Sequence, residues 1–481
     1  MSPREVVVLG YGMAGARLAD EIRRRDPGAE RVRLTVIGDE PHHAYNRVLL
    51  SAVVAGSMRP DSVRLHDEQW ARRHGIDLRL GVAALGIDRA ARTVALDDGT
   101  SVGYDALVFA TGSTPWLPPV EGLTGEHGEL AEGAVTFRSL GDCERILDAA
   151  RVGAPVAVLG GGLLGLEAAR GLAGRGNLVT VVHPAEHVLE RQLDAGAGRV
   201  LARALGEFGI DFRLGRTAAK YLPGDGLKLD DGSHVDADLV VVSAGVRAET
   251  ALASAAGIAV DRGIVVDDAL RTSDGRVHAI GDCAQHPGTV SGLVQPAWEQ
   301  AGVLADLLTG SDPSARYRGT SVVTRLKARG IDLAALGETH VETGDPDAEV
   351  LCVDDPARGR YAKLVLRDDR VTGAIVLGLP DAAATITQLH DRGSPAPGDR
   401  LGLLLGRALP SAAPAAASPA DLPAATTVCR CNSVTKGQLV DAWRAGAASA
   451  EQLTTATRAG TGCGGCADTV RGIADWLAST A

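Results

Sequence analysis

Two glycine-rich turns, each set between a short apolar run and a helix-like run, constrain this chain more than any other feature. The first follows EVVVLG at 5–10 and passes into helical character from Ala14 to Arg25. The second follows VAVLG at 156–160 and continues as GGLLGLEAARGLAGR. Another strand-like run comes after each, Leu34 to Ile37 and Val179 to Val182. Strand, tight turn, helix and strand open a parallel crossover unit. Two such openings about 150 residues apart predict an α/β chain with two doubly wound parallel-sheet domains.

Both turns carry G-x-G-x-x-G, as Gly10, Gly12 and Gly15 and again as Gly160, Gly162 and Gly165. The first glycine permits the turn, the second lets a pyrophosphate approach the backbone, and the third lets helix and strand pack closely. Met13 and Ala14, and Leu163 and Leu164, then open helices whose positive ends attract a diphosphate. The expected ribose partner after the first unit is Asp39 or Glu40 in GDEP, against the plainer reading of a polar turn. After the second unit the strand ends at His183, which suits a 2′-hydroxyl or a 2′-phosphate, so NADH and NADPH both stay open. A solvated turn histidine is the alternative there.

With 481 residues, roughly three domains are expected. A net charge of -11 without any basic run argues against nucleic acid. Apolar stretches such as Ala237 to Val246 fall short of the ~18 residues of a membrane span. The opening MSPRE lacks a leader pattern, and the expectation is a cytoplasmic protein.

Strand-like runs also end in ATGS at 110–113, SAGV at 243–246 and GDCA at 281–284. Beyond about residue 316, alternating segments such as RYAKLVLRDD predict a smaller α+β domain with an antiparallel sheet. The Ala-, Pro- and Ser-rich stretch 410–427 reads as a linker, long enough to let the C-terminal piece move. That piece, residues 428–481, shows helical patterning at Gln438 to Arg444 and Asp468 to Leu477. At roughly 50 residues it needs a staple.

Its four cysteines supply one. Cys429, Cys431, Cys463 and Cys466 form C-x-C, 31 residues, C-x-x-C. Four thiolates in two close pairs hold a [2Fe-2S] cluster or a zinc ion. The C-x-C pairing and glycines at 462, 464 and 465 favour iron–sulfur. The other three, Cys143, Cys283 and Cys352, are expected as small buried hydrophobes.

Taken together, residues 1 to about 310 resemble the two-dinucleotide-domain flavoprotein reductases. The resemblance implies FAD at the first fingerprint and NADH or NADPH at the second. It makes ATGS and SAGV crossings between domains, bringing in Thr111, Gly112 and Gly245. It makes GDCA an FAD motif through Gly281 and Asp282, and adds Ala83 to the cofactor residues. EPHHAYNRVLLS at 40–51 is similar to the NADH-dependent assimilatory nitrite reductase large subunit and its electron-transfer relatives. That implies Arg47 near the flavin and Arg138 at the FAD phosphates, an ion pair being the plainer reading of each. Glu167 would lie near the nicotinamide, and Glu299 with Gln300 on the flavin face, or else all three are ordinary helix residues. Related ferredoxin reductases carry a lysine where this chain has Ala52, so that lysine's role does not transfer. Residues 38–60 contain no cysteine, which excludes a dithiol relay there.

The tail, from CRCNSVTKGQL to GTGCGGC, resembles the bacterioferritin-associated-ferredoxin-like [2Fe-2S] domain. The implied division is an FAD domain at 1–116 and 247–315, a nicotinamide domain at 117–246, and a small α+β interface domain at 316–409. The linker at 410–427 and a small helical [2Fe-2S] domain at 428–481 complete it. The implied function is electron transfer from reduced nicotinamide through FAD and the cluster to a partner. That partner would be a molybdenum-containing nitrate reductase catalytic subunit or a siroheme nitrite reductase subunit. The resemblance stops before a siroheme domain, so nitrite reduction by this chain alone is not expected. Two alternatives stand beside this reading: the FAD/[2Fe-2S] subunit of an amino-acid or opine dehydrogenase, and a redox-sensing or adaptor module with a structural metal.

Overall fold

The computed structural model describes residues 2–407, 419–420, 422–429, 432, 434–461 and 466–480. Its first sheet is built around β1 (Arg4–Leu9), whose Val6, Val7, Val8 and Leu9 are all buried. A strand covered on both faces is apolar throughout rather than alternating, and a parallel sheet demands this. β1 pairs in parallel with β2 (Val32–Gly38), placing Val6 beside Leu34 and Leu9 beside Ile37. On its other side lies the strand Ala106–Phe109, then Val277–Ala279, while Ile76–Leu80 closes the far edge. The helix between them, α1 (Met13–Arg25), buries Gly15, Ala16, Leu18, Ala19 and Ile22 and packs along the helix Val294–Thr309.

The second sheet repeats this arrangement. Pro155–Leu159 is central, flanked in parallel by Leu178–His183 and Leu239–Val242, with Ile210–Leu214 and Ala134–Thr136 outermost. The two chain crossings, Ser113–Pro115 and Val246–Ala248, pair with each other antiparallel. Each α/β unit also carries a three-stranded antiparallel sheet, at 84–103 and 218–236, which the sequence reading does not separate.

From residue 323 a five-stranded antiparallel sheet forms, in the order Val323–Arg325, Leu333–Gly337, Arg370–Leu377, Arg360–Arg367 and Glu349–Asp355. Cys352 lies on its outermost strand and is exposed, contrary to the expected buried hydrophobe, because an edge strand turns alternate residues to solvent. Cys143 and Cys283 are buried as expected.

Among its described residues, the C-terminal unit holds a two-stranded ribbon, Thr427–Cys429 with Val434–Thr435, and three helices. Helix Lys436–Arg444 begins with a capping box between Thr435 and Gln438. Helix Ala450–Thr457, not expected from the sequence, buries Leu453 alone, too little to give a periodic signal. Helix Ala467–Thr480 completes the core with Val470, Ile473 and Leu477. Most of the stretch read as a linker lies outside the described residues. Its end is tied down: Lys436 Nζ donates to Ala420 O at 3.0 Å and to Leu422 O at 2.6 Å. Among the described residues, no helix is long and apolar enough to cross a membrane.

Candidate functional site

Both glycine turns are built by steric exclusion. A Cβ on Gly10 (φ +107°) would lie 2.3 Å from Ala110 O, and one on Gly15 would lie 2.0 Å from Gly10 O. Gly160 and Gly165 reproduce this at 2.2 Å from Ser243 O and 2.2 Å from Gly160 O. The middle glycines differ. A Cβ on Gly162 meets nothing within 4 Å, and one on Gly12 meets only the Arg47 guanidinium, at 3.8 Å. That open space is where a pyrophosphate fits. Neither helix has a side-chain cap or an acidic residue in its first turn, so the N–H donors and positive dipole end remain for an anion.

A cavity of about 580 Å³ lies between the two units. Of the residues expected from sequence, it is lined by Gly10, Gly12, Met13, Ala14, Asp39, Glu40, Arg47, Thr111 and Gly112 on the first unit. Arg138, Leu163, Leu164, Glu167, Gly281 and Asp282 also face it. Helix N-termini from both fingerprints therefore open onto one space. Gly15, Gly160, Gly162, Gly165, Ala83, His183, Gly245 and Glu299 are not among its lining residues. Gly245 O accepts from Trp116 N at 2.9 Å within the crossing. Ala83 N–H donates to Asp97 Oδ1 at 3.0 Å. Glu299 is bonded to Gln295 at 3.0 Å and Thr320 at 2.6 Å, while Gln300 Oε1 accepts from Gly281 N at 2.8 Å and fixes the GDCA turn. The His183 ring is turned back onto its own loop. Its Nδ1 accepts from Gly161 N–H at 3.0 Å, leaving Nε2 to donate to Glu190 at 2.9 Å.

The two arginines line the cavity and are ion-paired as well. Arg138 Nη2 meets Asp282 at 2.7 Å and Ser113 Oγ at 2.6 Å. Arg47 pairs with Glu40, which also accepts from Tyr45 O–H at 2.7 Å. Burial pushes the Tyr45 phenol up, so it stays protonated as a donor.

The antiparallel domain also contributes to the cavity wall, through the strand Val323–Arg325 and Lys327, which the sequence reading does not anticipate. Lys327 approaches Glu167, only 4% exposed, with Nζ 3.1 and 3.2 Å from its oxygens, and its backbone N–H donates at 3.0 Å. A single lysine in TRLKAR gives no pattern by which to find it.

The cysteine site is assembled at the ribbon. Cys429 ends the strand Thr427–Cys429, and Cys466 immediately precedes helix Ala467–Thr480. Cys431 and Cys463, with the glycines at 462, 464 and 465, lie outside the described residues. A hydrogen bond with Cys466, aided by N–H groups of Gly460 and Asn432, lowers the Cys429 thiol to about 6 against the opposing effect of burial. Asn432 Nδ2 also donates to Cys429 Sγ at 3.6 Å. Two cysteine sulfurs in hydrogen-bond contact, with N–H donors aimed at one of them, suit the ligand pairs of an iron–sulfur cluster. This unit rests on the first α/β unit through Arg17–Asn432, Asn46–Thr461 and Asp20–Arg458 contacts.

Fold and site together define a reductase with two dinucleotide sites and an appended thiolate centre. Residues 4–301 match the family model for pyridine nucleotide-disulphide oxidoreductases, and the chain belongs to that family. Residues 323–392 match the rubredoxin NAD+ reductase C-terminal domain, and 427–476 the BFD-like [2Fe-2S] binding domain. FAD, NAD(P)H and a [2Fe-2S] cluster are its cofactors. Among curated proteins, the chain is 34% identical over 478 residues to a nitrite reductase [NAD(P)H] of Bacillus subtilis (strain 168), covering 98% of this chain and 58% of that one. It is 33% identical over 493 residues to the assimilatory nitrate reductase electron transfer subunit of the same organism, covering 100% and 60%. The chain thus spans about three-fifths of the length of these relatives. The putidaredoxin reductase–putidaredoxin complex is similar in structure, with TM-score 0.74 and 27% identity over 82% of this chain and 94% of that one.

Proposed function

We propose that this chain carries electrons from reduced nicotinamide to a separate catalytic subunit of assimilatory nitrate or nitrite reduction, in the cytoplasm. The observation that carries this reading is the shared cavity: helix N-termini of both fingerprints face it, and the thiolate site is docked on α1 beside it. Bound here, FAD would supply the chemistry that joins two-electron hydride transfer from a nicotinamide to one-electron transfer toward a [2Fe-2S] cluster.

The chain's own residues bind and orient. The α1 N-terminus, with Gly12, Met13 and Ala14, is assigned to the FAD pyrophosphate, and the Leu163–Gly174 helix to that of the nicotinamide. Asp282, oriented by Arg138 and Ser113, is assigned to the ribitol chain. Leu163, Leu164 and Val323 supply apolar walls that exclude water where the two rings meet. Glu167, pinned by Lys327, is held as a fixed carboxylate at the nicotinamide end. Cys429, Cys431, Cys463 and Cys466 are assigned to the cluster. The accompanying division assigns 1–116 and 247–315 to FAD, 117–246 to the nicotinamide, 316–409 to the interface and 428–481 to the cluster.

Reconstitution tests the partner. The purified protein is mixed with a molybdenum-containing nitrate reductase catalytic subunit, and separately with a siroheme nitrite reductase subunit. NADH and NADPH oxidation is followed with nitrate or nitrite present. Oxidation that requires both subunits and the matching anion is expected with one of the pair. No coupling to either would overturn the proposed partner.

A further inference from the structure

A polar seam joins the cysteine unit to α1, and the Asn432 amide bridges it to a cluster ligand. Arg17, 8% exposed, donates from Nη1 to Asn432 Oδ1 at 3.0 Å. Asn432, 5% exposed, lies three residues beyond Cys429 and turns its nitrogen inward. Its Nδ2 donates to Cys429 Sγ at 3.6 Å, to Arg458 O at 2.6 Å and to Thr461 Oγ1 at 3.2 Å. The amide oxygen therefore faces a cation of the nucleotide-binding unit, while its nitrogen faces a cluster ligand.

Arg17 is fixed in this pose. Its Nη2 meets Glu21 Oε1 at 2.8 Å, and its guanidinium lies 5.3 Å from the centre of the Trp298 ring. Glu21 does not neutralise it alone, since Arg24 and Arg25 share the same carboxylate at 3.3 and 2.5 Å. The other seam contacts are also polar: Asp20 pairs with Arg458, and Asn46 Nδ2 donates to Thr461 O.

We infer that Arg17, acting through Asn432, raises the reduction potential of the cluster only while the cysteine unit is docked on α1. The inference rests on the reading of this chain as a FAD-to-cluster electron carrier. Reduction adds one electron, and hence one negative charge, to the cluster. A guanidinium on the amide oxygen polarises the N–H that faces sulfur, and both favour the more negative state. Docked, the cluster is the stronger acceptor for an electron from FAD. Released from α1, it loses the cation and becomes the stronger donor toward a partner. Arg17 is thus a positioning and tuning residue that couples domain contact to the direction of electron flow.

The test is an anaerobic equilibrium redox titration of the full-length protein with FAD and cluster bound. Cluster EPR and flavin absorbance are recorded together. Arg17→Met keeps the side-chain stem and removes the charge. The expected result is a tenfold weaker hold on the electron, a fall of 59 mV in the cluster midpoint for a one-electron couple, with the FAD midpoint unchanged. Arg17→Lys restores most of it. Asn46→Ala, which removes a neutral seam contact to Thr461 O and leaves every charge of the seam in place, also lowers the midpoint, and adding Arg17→Met to it gives a smaller further fall. Asn432→Leu provides the same readout from the other side of the seam should Arg17→Met fold poorly. A cluster midpoint that stays put in folded Arg17→Met overturns the inference and leaves the electron-carrier reading intact; where Arg17→Met fails to fold, an unmoved midpoint in Asn432→Leu does the same. So does an undiminished Arg17→Met shift in the Asn46→Ala background. Absence of any reducible cluster in the unsubstituted protein overturns the electron-carrier reading itself.

Discussion

Glu167 and Lys327 show what a single pair can decide. The Glu167 carboxylate is buried while the Lys327 side chain is 28% exposed, so the lysine is the partner that keeps the carboxylate's charge compensated. Lys327→Met should cost about 2 kcal/mol of stability in urea unfolding, less than a fully buried pair because the lysine is partly solvated. Lys327→Met combined with Glu167→Gln should recover most of that loss, since the expense lies in the stranded charge. A single variant as stable as the parent would show that the pair does not hold this wall together. Glu167 was legible in the sequence because it follows a glycine fingerprint. Lys327 was not, because the two residues are 160 apart in sequence and a lone lysine carries no pattern. The same holds for Arg17 and Asn432, 415 residues apart.

Elements were legible where local chemistry dictates them. The valine runs of the central strands and the glycines after them specify strand, turn and helix without help from distant residues. This makes the two turns separable in experiment. Gly15→Ala should abolish FAD retention, measured as the flavin-to-protein ratio after purification, because the new methyl collides with Gly10 O. Gly165→Ala should keep FAD and weaken nicotinamide binding at least tenfold by fluorescence titration. Equal loss of FAD in both variants would contradict the assignment of one nucleotide to each turn. The strand Val277–Ala279 carries a pH signature as well. Burial, then the charge of Arg4, lowers the imidazole of His278 to about 4. The unfolded chain, titrating near 6.5, binds that proton first, so this contribution to stability is complete above pH 6.5 and is lost as pH falls toward 4. The loss is about 3 kcal/mol. Replacing His278 with asparagine should flatten the slope of unfolding free energy between those values, and an unaltered slope would rule this contribution out. The helix Ala450–Thr457, which buries Leu453 alone, and the two small antiparallel sheets, whose strands run only three to five residues, are not legible because segments so short give too few repeats to fix a period.

The molecule as a whole is a series of sites. The first glycine turn and the start of the helix Leu163–Gly174 face one cavity, the antiparallel domain closes its wall with Lys327, and the cysteine unit sits on the helix that begins at the first turn. The motifs already implied two nucleotide sites and a cluster, because each announces itself locally, and the family resemblance supplied which nucleotide goes with which turn. How they meet was not implied, because the contacts at Glu167, Arg17 and Asp20 depend on surfaces that exist only after folding. An anaerobic titration with NADH and then NADPH, following flavin absorbance and the EPR of the reduced cluster together, tests the series most directly. Bleaching of the flavin accompanied by a [2Fe-2S] signal, with one of the two nucleotides as donor, is the predicted result. No bleaching by either nucleotide, or bleaching without reduction of any metal centre, would contradict it.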